Sequence, residues 1–206
     1  MGPNPFAEKS VVGGRLCLDF TNTTSRHPPD PEGEWLHGYD DLVWWGLRAV
    51  VLQESEAEAL FARAAADPAA AAELFARAME LREAVYRLVT AASAGEETSE
   101  ADLEVLNREA QEASRHLRIV PGRQGFGWRW ECTELDRVLW PIARDAAELL
   151  VSGELPRVGG CAGESCDWLY LDTSRNHSRR WCTMADCGNR AKAKRHYHRA
   201  KAAGAD

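Results

Sequence analysis

The longest regular pattern of apolar positions lies in the first half of the chain. Between residues 68 and 94, apolar side chains recur every three or four residues, which is the spacing of one helix face. That face consists of Leu74, Ala78, Leu81, Val85, Leu88 and Val89. Residues 54–94 are rich in strong helix formers and are interrupted only at Asp67 and Pro68. The sequence therefore predicts two helices, with Pro68 in the first turn of the second.

Three further helical segments flank this pair. One begins near Asp40, and the carboxylate of Asp40 or Asp41 can cap it. Another follows Ser99, a good N-cap residue, and reaches about His116. A third spans roughly residues 134–151 and ends close to a glycine. Most of the chain before residue 157 is therefore predicted to be helical.

Alternation of apolar and polar residues predicts a smaller amount of sheet. In GGRLCLDFTNTT, Leu16, Leu18 and Phe20 alternate with other residue types, which is the period of a half-buried strand. A second alternation around a Pro-Gly turn predicts a β-hairpin. Its apolar residues are Leu117, Ile119, Phe126, Trp128 and Trp130. Other residues expected in core or hairpin packing are Trp44, Trp45, Trp140, Cys17 and Cys132.

The remaining four cysteines form two C-x4-C pairs separated by fifteen residues. They are Cys161, Cys166, Cys182 and Cys187. Zinc binds four soft thiolates in a tetrahedron, and two pairs on tight turns can supply them. An iron–sulfur cluster or a chance group of thiols are the alternatives, and His177, His196 or His198 are candidate substitute ligands. We expect one structural Zn²⁺, which would contribute much of the stability of so small a segment.

Two features of the sequence bear on location and catalysis. The start, MGPNPFAEKS, lacks a basic segment followed by an apolar one, and no apolar run approaches the roughly 18 residues of a membrane span. We therefore expect a cytoplasmic protein without a membrane partner, in a compartment where clustered cysteines are usually metal ligands. Four thiolates close the zinc shell, and no motif of a common enzyme class is present, so we do not expect an enzyme. An enzyme pocket near Asp19 is the weaker alternative.

The predicted elements combine into an α+β fold in two parts. Residues 1–156 form a predominantly α-helical N-terminal domain with a small β-hairpin or sheet, and residues 157–206 form a small finger of zinc-ribbon or treble-clef type. In the finger, we expect Gly188 to let the chain turn sharply, with a positive φ if the turn needs one, so that amides can point at a thiolate. A terminal helix follows over residues 190–201. Its narrow apolar stripe, which we expect to rest on the zinc site, consists of Ala193, Tyr197 and Ala200.

Charge is divided unequally between the two parts. The chain carries −7 overall, but residues 1–158 hold 16 Lys and Arg against 27 Asp and Glu, whereas residues 159–206 hold nine against five. The excess of four positive charges in residues 159–206 exceeds the two negative charges of a Zn(Cys)4 centre. It therefore predicts contact with DNA phosphates. The predicted contact residues are Arg175, Arg179, Arg180, Arg190, Lys192, Lys194 and Arg195. The alternatives are an RNA or protein partner, or a solvated charged face.

Asp19 and Asn22, at the end of the predicted first strand, are candidate residues of a ligand pocket. Capping and turn hydrogen bonds are the more ordinary use of such residues, so both interpretations stand at this point. A pocket here would give the N-terminal domain a binding site for a small-molecule effector.

Motifs in the two parts resemble two known families. CAGESCDWLYLDTSRNHSRRWCTMADCGNRAKAKRHYHR, with Cys-Gly-Asn-Arg at 187–190, resembles the CGNR zinc finger of bacterial proteins over residues 157–201. By position, the resemblance implies the same four cysteine ligands. GGRLCLDFTNT resembles the ABATE domain that usually precedes this finger. Together they imply a stress-induced transcription regulator whose finger binds DNA and whose N-terminal domain senses a signal; a dimer would supply two DNA half-sites.

Overall fold

The computed structural model describes residues 2–29, 31–123, 125–131 and 134–203. The helices are α1 (Leu16–Thr21), α2 (Tyr39–Arg48), α3 (Glu54–Ala66), α4 (Pro68–Ala94), α5 (Glu100–Arg115), α6 (Leu139–Val151) and α7 (Asn189–Ala203). The strands are β1 (Leu117–Gly122), β2 (Gly125–Trp130), β3 (Val158–Gly160) and β4 (Leu169–Leu171). In the ranges described, no helix combines the length and apolar character needed to cross a membrane. The architecture is mostly helical, with two small antiparallel sheets.

Helix α4 lies at the centre of the helical region and contacts α1, α2, α3, α5 and α6. All six residues of its predicted apolar face are buried, and Ala71 and Ala84 extend that face. Burying a Leu or Val side chain contributes roughly 1.5–3 kcal/mol, so this face is a major source of stability. The predicted pair of helices and the predicted buried face are confirmed.

Side chains cap the starts of α4 and α5, and the Ser99 cap is the one that the sequence predicted. The Asp67 carboxylate accepts a hydrogen bond from the Ala70 N–H at 3.0 Å, just before the proline that begins α4. The Ser99 hydroxyl accepts from the Asp102 N–H at 3.3 Å and caps α5. The helix predicted near Asp40 begins one residue earlier, at Tyr39. Its N-cap residue is Gly38, so the predicted cap by Asp40 or Asp41 is wrong. Each cap satisfies an amide that has no partner inside its own helix.

The segment predicted as the first strand is a helix. In α1 the buried positions are Cys17, Leu18, Phe20 and Thr21, which share one helix face, while Leu16 is half-buried. The apparent alternation in the sequence covered only three apolar residues. Over so short a stretch, a period of two cannot be separated from a period of 3.6. The strand prediction is therefore wrong, although the prediction that Cys17 is a core residue is confirmed; Cys132 lies outside the described residues.

Strands β1 and β2 form the predicted antiparallel hairpin, in which Ile119 pairs with Trp128. The Pro-Gly pair predicted as its turn lies instead at the end of β1, where Pro121 pairs with Phe126 and Gly122 with Gly125. At its base, the ring of Trp130 lies 5.9 Å from that of buried Trp140, which stacks on His116 at 4.1 Å. Trp128 was expected to serve in packing, but 59% of it is exposed. The hairpin is thus anchored at its base and stands away from the core towards its tip.

A buried ion-pair network joins α4 to the loop after α1. The Arg82 guanidinium, in a side chain only 1% exposed, donates to both carboxylate oxygens of Glu34 at 2.8 and 2.6 Å and to Glu83 at 3.1 Å. The second oxygen of Glu83 lies 2.8 Å from Nδ1 of His27, whose ring stacks on Tyr86 at 3.6 Å. Burial alone would raise the pKa of Glu83, but hydrogen bonds from His27 and Arg82 lower it overall. The network contains no unpaired carboxylate and so can exist inside the fold.

The C-terminal finger, taken here as residues 157–203, packs directly on the helical region. Val158, Leu169 and Leu171 belong to the same buried core as the helices. The domain boundary predicted between residues 156 and 157 falls in a short 3-10 turn, Leu155–Arg157, and stays a prediction. Buried contacts cross it, so the finger is not attached through an open linker.

Two polar contacts strengthen this attachment. The indole N–H of Trp168 donates to the Thr24 carbonyl at 2.8 Å, and its ring meets that of Trp35 edge to face at 5.5 Å. The Asp167 N–H donates to the Ser25 carbonyl at 2.9 Å. The finger therefore packs against the loop after α1.

Candidate metal centre and basic face

Four cysteines converge from separate parts of the finger. Cys161 follows β3, Cys166 precedes β4, Cys182 follows the loop after β4, and Cys187 lies in the turn that leads into α7. Their Sγ atoms all lie within 4.8 Å of one another. The Sγ atoms of Cys166 and Cys182 are 3.9 Å apart, and those of Cys182 and Cys187 are 3.6 Å apart.

These distances fit a single metal ion. Zn–S bonds of about 2.3 Å place the four sulfurs of a tetrahedron about 3.8 Å apart, close to the spacings observed. A four-iron cluster places several atoms between its ligands and needs a wider separation. Four thiolates are also the donor set that zinc prefers in structural sites. The four cysteines therefore fit one structural zinc ion, as the sequence predicted.

Neighbouring groups stabilise negative charge on the sulfurs. The Cys182 N–H donates to Sγ of Cys161 at 3.3 Å, and the Arg190 guanidinium donates to Sγ of Cys187 at 3.0 Å. A hydrogen bond from the Cys182 thiol lowers the pKa of Cys166 to about 6, but the same contact raises the pKa of Cys182, which must also lose its proton when zinc binds. Hydrogen bonds to the ionised form favour it, and zinc binds only that form. Arg190 thus has a role at the metal centre that its predicted contact with DNA did not include.

Two glycines lie beside the zinc ligands, and their roles differ. At Gly163, an added Cβ would lie 3.1 Å from Sγ of Cys187 and 3.2 Å from Cβ of Cys166, so a side chain would press on two ligands. Gly188 does not have a positive φ, and its N–H donates to the Thr183 carbonyl instead of a thiolate. A Cβ at Gly188 would lie 2.8 Å from Sδ of Met184, but that side chain is exposed and flexible and can move aside, so the need for glycine is weaker there than at Gly163.

Arg179 is a structural residue of the finger. Its guanidinium donates to the carbonyl oxygens of Val12, Trp181, Leu171 and Cys182, and it lies 4.1 Å above the ring of Tyr170. These acceptors take up four of the five N–H groups of the guanidinium. The predicted DNA contact at Arg179 stays a prediction. Charge alone could not reveal the role, because the sequence does not show where a guanidinium points.

Most of the other predicted contact residues surround one cleft beside the zinc site. This basic cleft has a volume of about 470 Å³ and is lined by Arg180, Arg190, Lys194, Arg195 and Trp181, among others. Lys194 forms an exposed ion pair with Glu164 on the opposite wall. Arg175 and Lys192 are exposed outside the cleft. The structure therefore brings four of the seven predicted residues together.

The apolar stripe predicted on the terminal helix does not rest on the zinc site. Tyr197 is 64% exposed and Ala193 is exposed, while half-buried Ala191 lines the basic cleft. The side chain of Ala200 lies outside the described residues, as does that of His198. The other two histidines considered as ligands, His177 and His196, are exposed and do not belong to the four-cysteine group. The helix itself, predicted over residues 190–201, is confirmed.

Asp19 and Asn22 make hydrogen bonds within the protein. The Asp19 carboxylate accepts from the Gly13 N–H at 2.7 Å. The Asn22 side chain accepts from the Leu169 N–H and donates to the Leu169 carbonyl, both at 2.8 Å. The ordinary use of these residues in local hydrogen bonding is therefore observed, and the ligand pocket stays a prediction. No signal in the sequence indicated that Asn22 would join α1 to the finger.

Asp19→Asn should change how stability depends on pH. Burial raises the pKa of Asp19 from its ordinary value of 3.8 to about 6, so its contribution to stability is full below the ordinary value and is lost as pH rises through about 6. Between about pH 5 and about pH 8, the wild type should lose about 1–2 kcal/mol relative to the variant. Urea unfolding of both zinc-loaded proteins at each pH measures this difference, and parallel pH profiles would contradict it.

Comparison with known families agrees with this geometry. Residues 157–200 match the CGNR zinc finger, which includes all four cysteines. Residues 14–153 match ABATE, described as "Putative stress-induced transcription regulator". Among curated proteins, none matches the chain. Because the ABATE match spans well over half of the sequence, the chain belongs to the ABATE family, and it carries a CGNR zinc finger with a site for one structural zinc ion.

Proposed function

We propose that this protein is a DNA-binding transcription regulator in which one zinc ion holds the finger and the finger presents α7 to duplex DNA. The observation that carries the proposal is the basic cleft, which four cationic side chains and one acid, Glu164, line beside the zinc site. Arginine and lysine on a rigid support are the usual partners of backbone phosphates. Zinc fixes the start of α7 at Cys187, so metal binding and phosphate binding are linked.

The distribution of charge supports a single docking face. Residues 175–201 contain nine basic residues against one acid, while residues 1–158 carry a large acidic excess. DNA is repelled by the acidic surface and attracted to the finger, which selects one orientation. If six phosphates are neutralised, log K should fall with log salt with a slope of about −5.

Duplex DNA is favoured over single-stranded RNA because the aromatic residues of the finger are mostly occupied. Tyr170 is buried, and Trp168 packs against Trp35. Trp181 is half-buried beneath Arg180. Recognition of single-stranded RNA relies on exposed aromatic rings for base stacking. Competition between duplex DNA and RNA at matched salt distinguishes the two partners.

Charge reversal on α7 tests the proposal. We expect Lys192→Glu combined with Arg195→Glu to weaken duplex DNA binding at least about 100-fold, and to reduce the salt slope by about 2. Both residues are exposed, so the fold and the zinc content should not change. Fluorescence anisotropy with genomic fragments, at several salt concentrations, measures the affinity and the slope.

The matched control makes the same change in net charge on the hairpin. Arg123→Glu combined with Arg129→Glu should leave the salt slope close to that of the wild type. Equal binding by the α7 variant and the wild type would contradict the proposal, as would an intact, zinc-loaded chain that binds no fragment. Point variants are used because deletion of the finger would expose Val158, Leu169 and Leu171.

The remaining parts of the proposal follow from the family and from thiol chemistry. We propose that the helical region senses a signal, in line with the description of the ABATE family. A cytoplasmic location suits four reduced cysteines. The proposal is one of binding and regulation, and it assigns no catalytic step to any residue.

A further inference from the structure

The hairpin of β1 and β2 carries an apolar face that is largely exposed. Side chains alternate along paired strands, so one face holds Leu117, Ile119, Pro121, Phe126, Trp128 and Trp130. The base of this face is half-buried. Towards the tip, the exposed fraction is 63% for Ile119, 81% for Phe126 and 59% for Trp128. Contiguous apolar patches of this kind mark interaction sites.

The charges around the hairpin indicate which partner suits this face. Arg118 and Arg129 are paired across the strands at positions whose side chains point to the opposite face. Arg144 lies 4.9 Å from the centre of the Trp128 ring, but it is already paired with Glu148 of α6 at 2.7 Å. A nucleic acid needs free cations beside the aromatic rings. The arrangement therefore favours an apolar, uncharged partner surface.

We propose that a second copy of this chain docks on the apolar face of the hairpin, forming a dimer with two-fold symmetry. Across a two-fold axis the same patch lies on both sides, so the exposed apolar side chains of one copy meet those of the other. The two hairpins then pack face to face, as sheets do in a sandwich. Arg118 and Arg129 stay on the outer faces, whereas Arg144, which lies over the Trp128 ring, comes close to the interface with its charge balanced by Glu148.

The exposed area matches a weak dimer. An aromatic side chain offers roughly 150–250 Å² of surface, so Ile119, Phe126 and Trp128 together expose about 400 Å² per copy. Two copies therefore bury about 800 Å² through these three side chains, and exposed Pro121 on the same face brings the total near the roughly 1,000 Å² that a specific interface needs. An interface of this size fits a weak, reversible dimer.

This dimer goes beyond the proposed DNA binding and does not depend on it. Its formation requires the hairpin alone, whereas the basic cleft lies in the finger. If the finger binds DNA, a dimer also places two fingers on one duplex and raises the apparent affinity without any new contact. The proposed self-association and the proposed DNA binding can thus be disproved independently of each other.

Sedimentation velocity of the full, zinc-loaded chain tests the inference. Over about 1–300 µM, the average mass should rise from one chain towards two. Phe126→Thr combined with Trp128→Thr should weaken the dimer at least about tenfold, and threonine keeps the preference for strand structure. Val50→Thr is the matched control, because Val50 is 86% exposed and lies two residues after the end of α2; it should dimerise like the wild type. Circular dichroism checks that each variant is folded.

Two results would overturn the inference: a wild type that stays monomeric over the whole range, or a hairpin variant that dimerises as tightly as the wild type. Should the double variant fail to fold, Ile119→Thr applies the same test with both aromatic rings in place. A monomeric wild type that instead binds phosphatidylserine vesicles or single-stranded oligonucleotide through Phe126 and Trp128 would also overturn it, and would assign the face to that partner.

Discussion

Replacing one ligand cysteine, Cys182→Ser, should remove the zinc and unfold the finger. Cys182 is buried and lies 3.9 and 3.6 Å from the sulfurs of Cys166 and Cys187, so its loss opens the centre of the site. Structural zinc contributes on the order of 10 kcal/mol in small fingers, and a serine hydroxyl is a poor replacement for a thiolate. We expect zinc content to fall from one ion per chain to almost none after dialysis, as measured by emission spectrometry.

The same variant should alter the protein beyond the finger. Because Leu169 and Leu171 lie in the common core, hydrogen exchange should rise both in residues 157–203 and in α1. Cys17→Ala is the control, since Cys17 is buried but is not a ligand; this variant should keep one zinc ion. Retention of zinc by Cys182→Ser would show that the metal site is assigned wrongly.

Replacing the buried arginine of α4, Arg82→Met, should lower the free energy of unfolding by about 3–5 kcal/mol. The change leaves Glu34 and Glu83 in the interior without their cation, since these side chains are only 13% and 19% exposed. Methionine retains most of the apolar stem, so the loss reflects the ion pairs and hydrogen bonds. Urea unfolding of the zinc-loaded proteins measures it.

An exposed ion pair provides the control for this prediction. Arg63 and Glu134 form a bidentate ion pair in which the side chains are 46% and 48% exposed. Arg63→Met should cost less than about 1 kcal/mol because water already solvates both groups. If the two variants lose similar amounts of stability, the network around Arg82 is not the tightly coupled unit that its burial indicates.

The long apolar face of α4, two helix starts and the four zinc ligands were predictable from the sequence. The buried face of α4 spans several turns, so its period is unambiguous, and Pro68 and Ser99 mark helix starts by local chemistry alone. The zinc ligands were predictable because cysteine clusters are rare and the C-x4-C spacing suits one tetrahedral ion. In each case, the signal depends on residues close together in the chain.

Features that depend on distant residues were not predictable. Helix α1 was mistaken for a strand because three alternating residues do not define a period. The role of Arg179 depends on carbonyl groups that come together only in the folded finger, including that of Val12. Asn22 likewise bonds to Leu169, 147 residues further along. A single sequence identifies the polar groups but does not identify their partners.

The pairing of Asn22 with Leu169 has a consequence for the solution behaviour of the finger. Strand β4 pairs with β3 on one side, so the amides and carbonyls of Leu169 and Leu171 face the other side. There, Asn22 satisfies both groups of Leu169, the Gly13 carbonyl accepts from the Leu171 N–H, and Arg179 reaches the Leu171 carbonyl. Unpaired strand edges recruit other chains and start aggregation. In this protein Asn22, Gly13 and Arg179 satisfy the free edge of β4, so that a strand of another chain cannot pair with it.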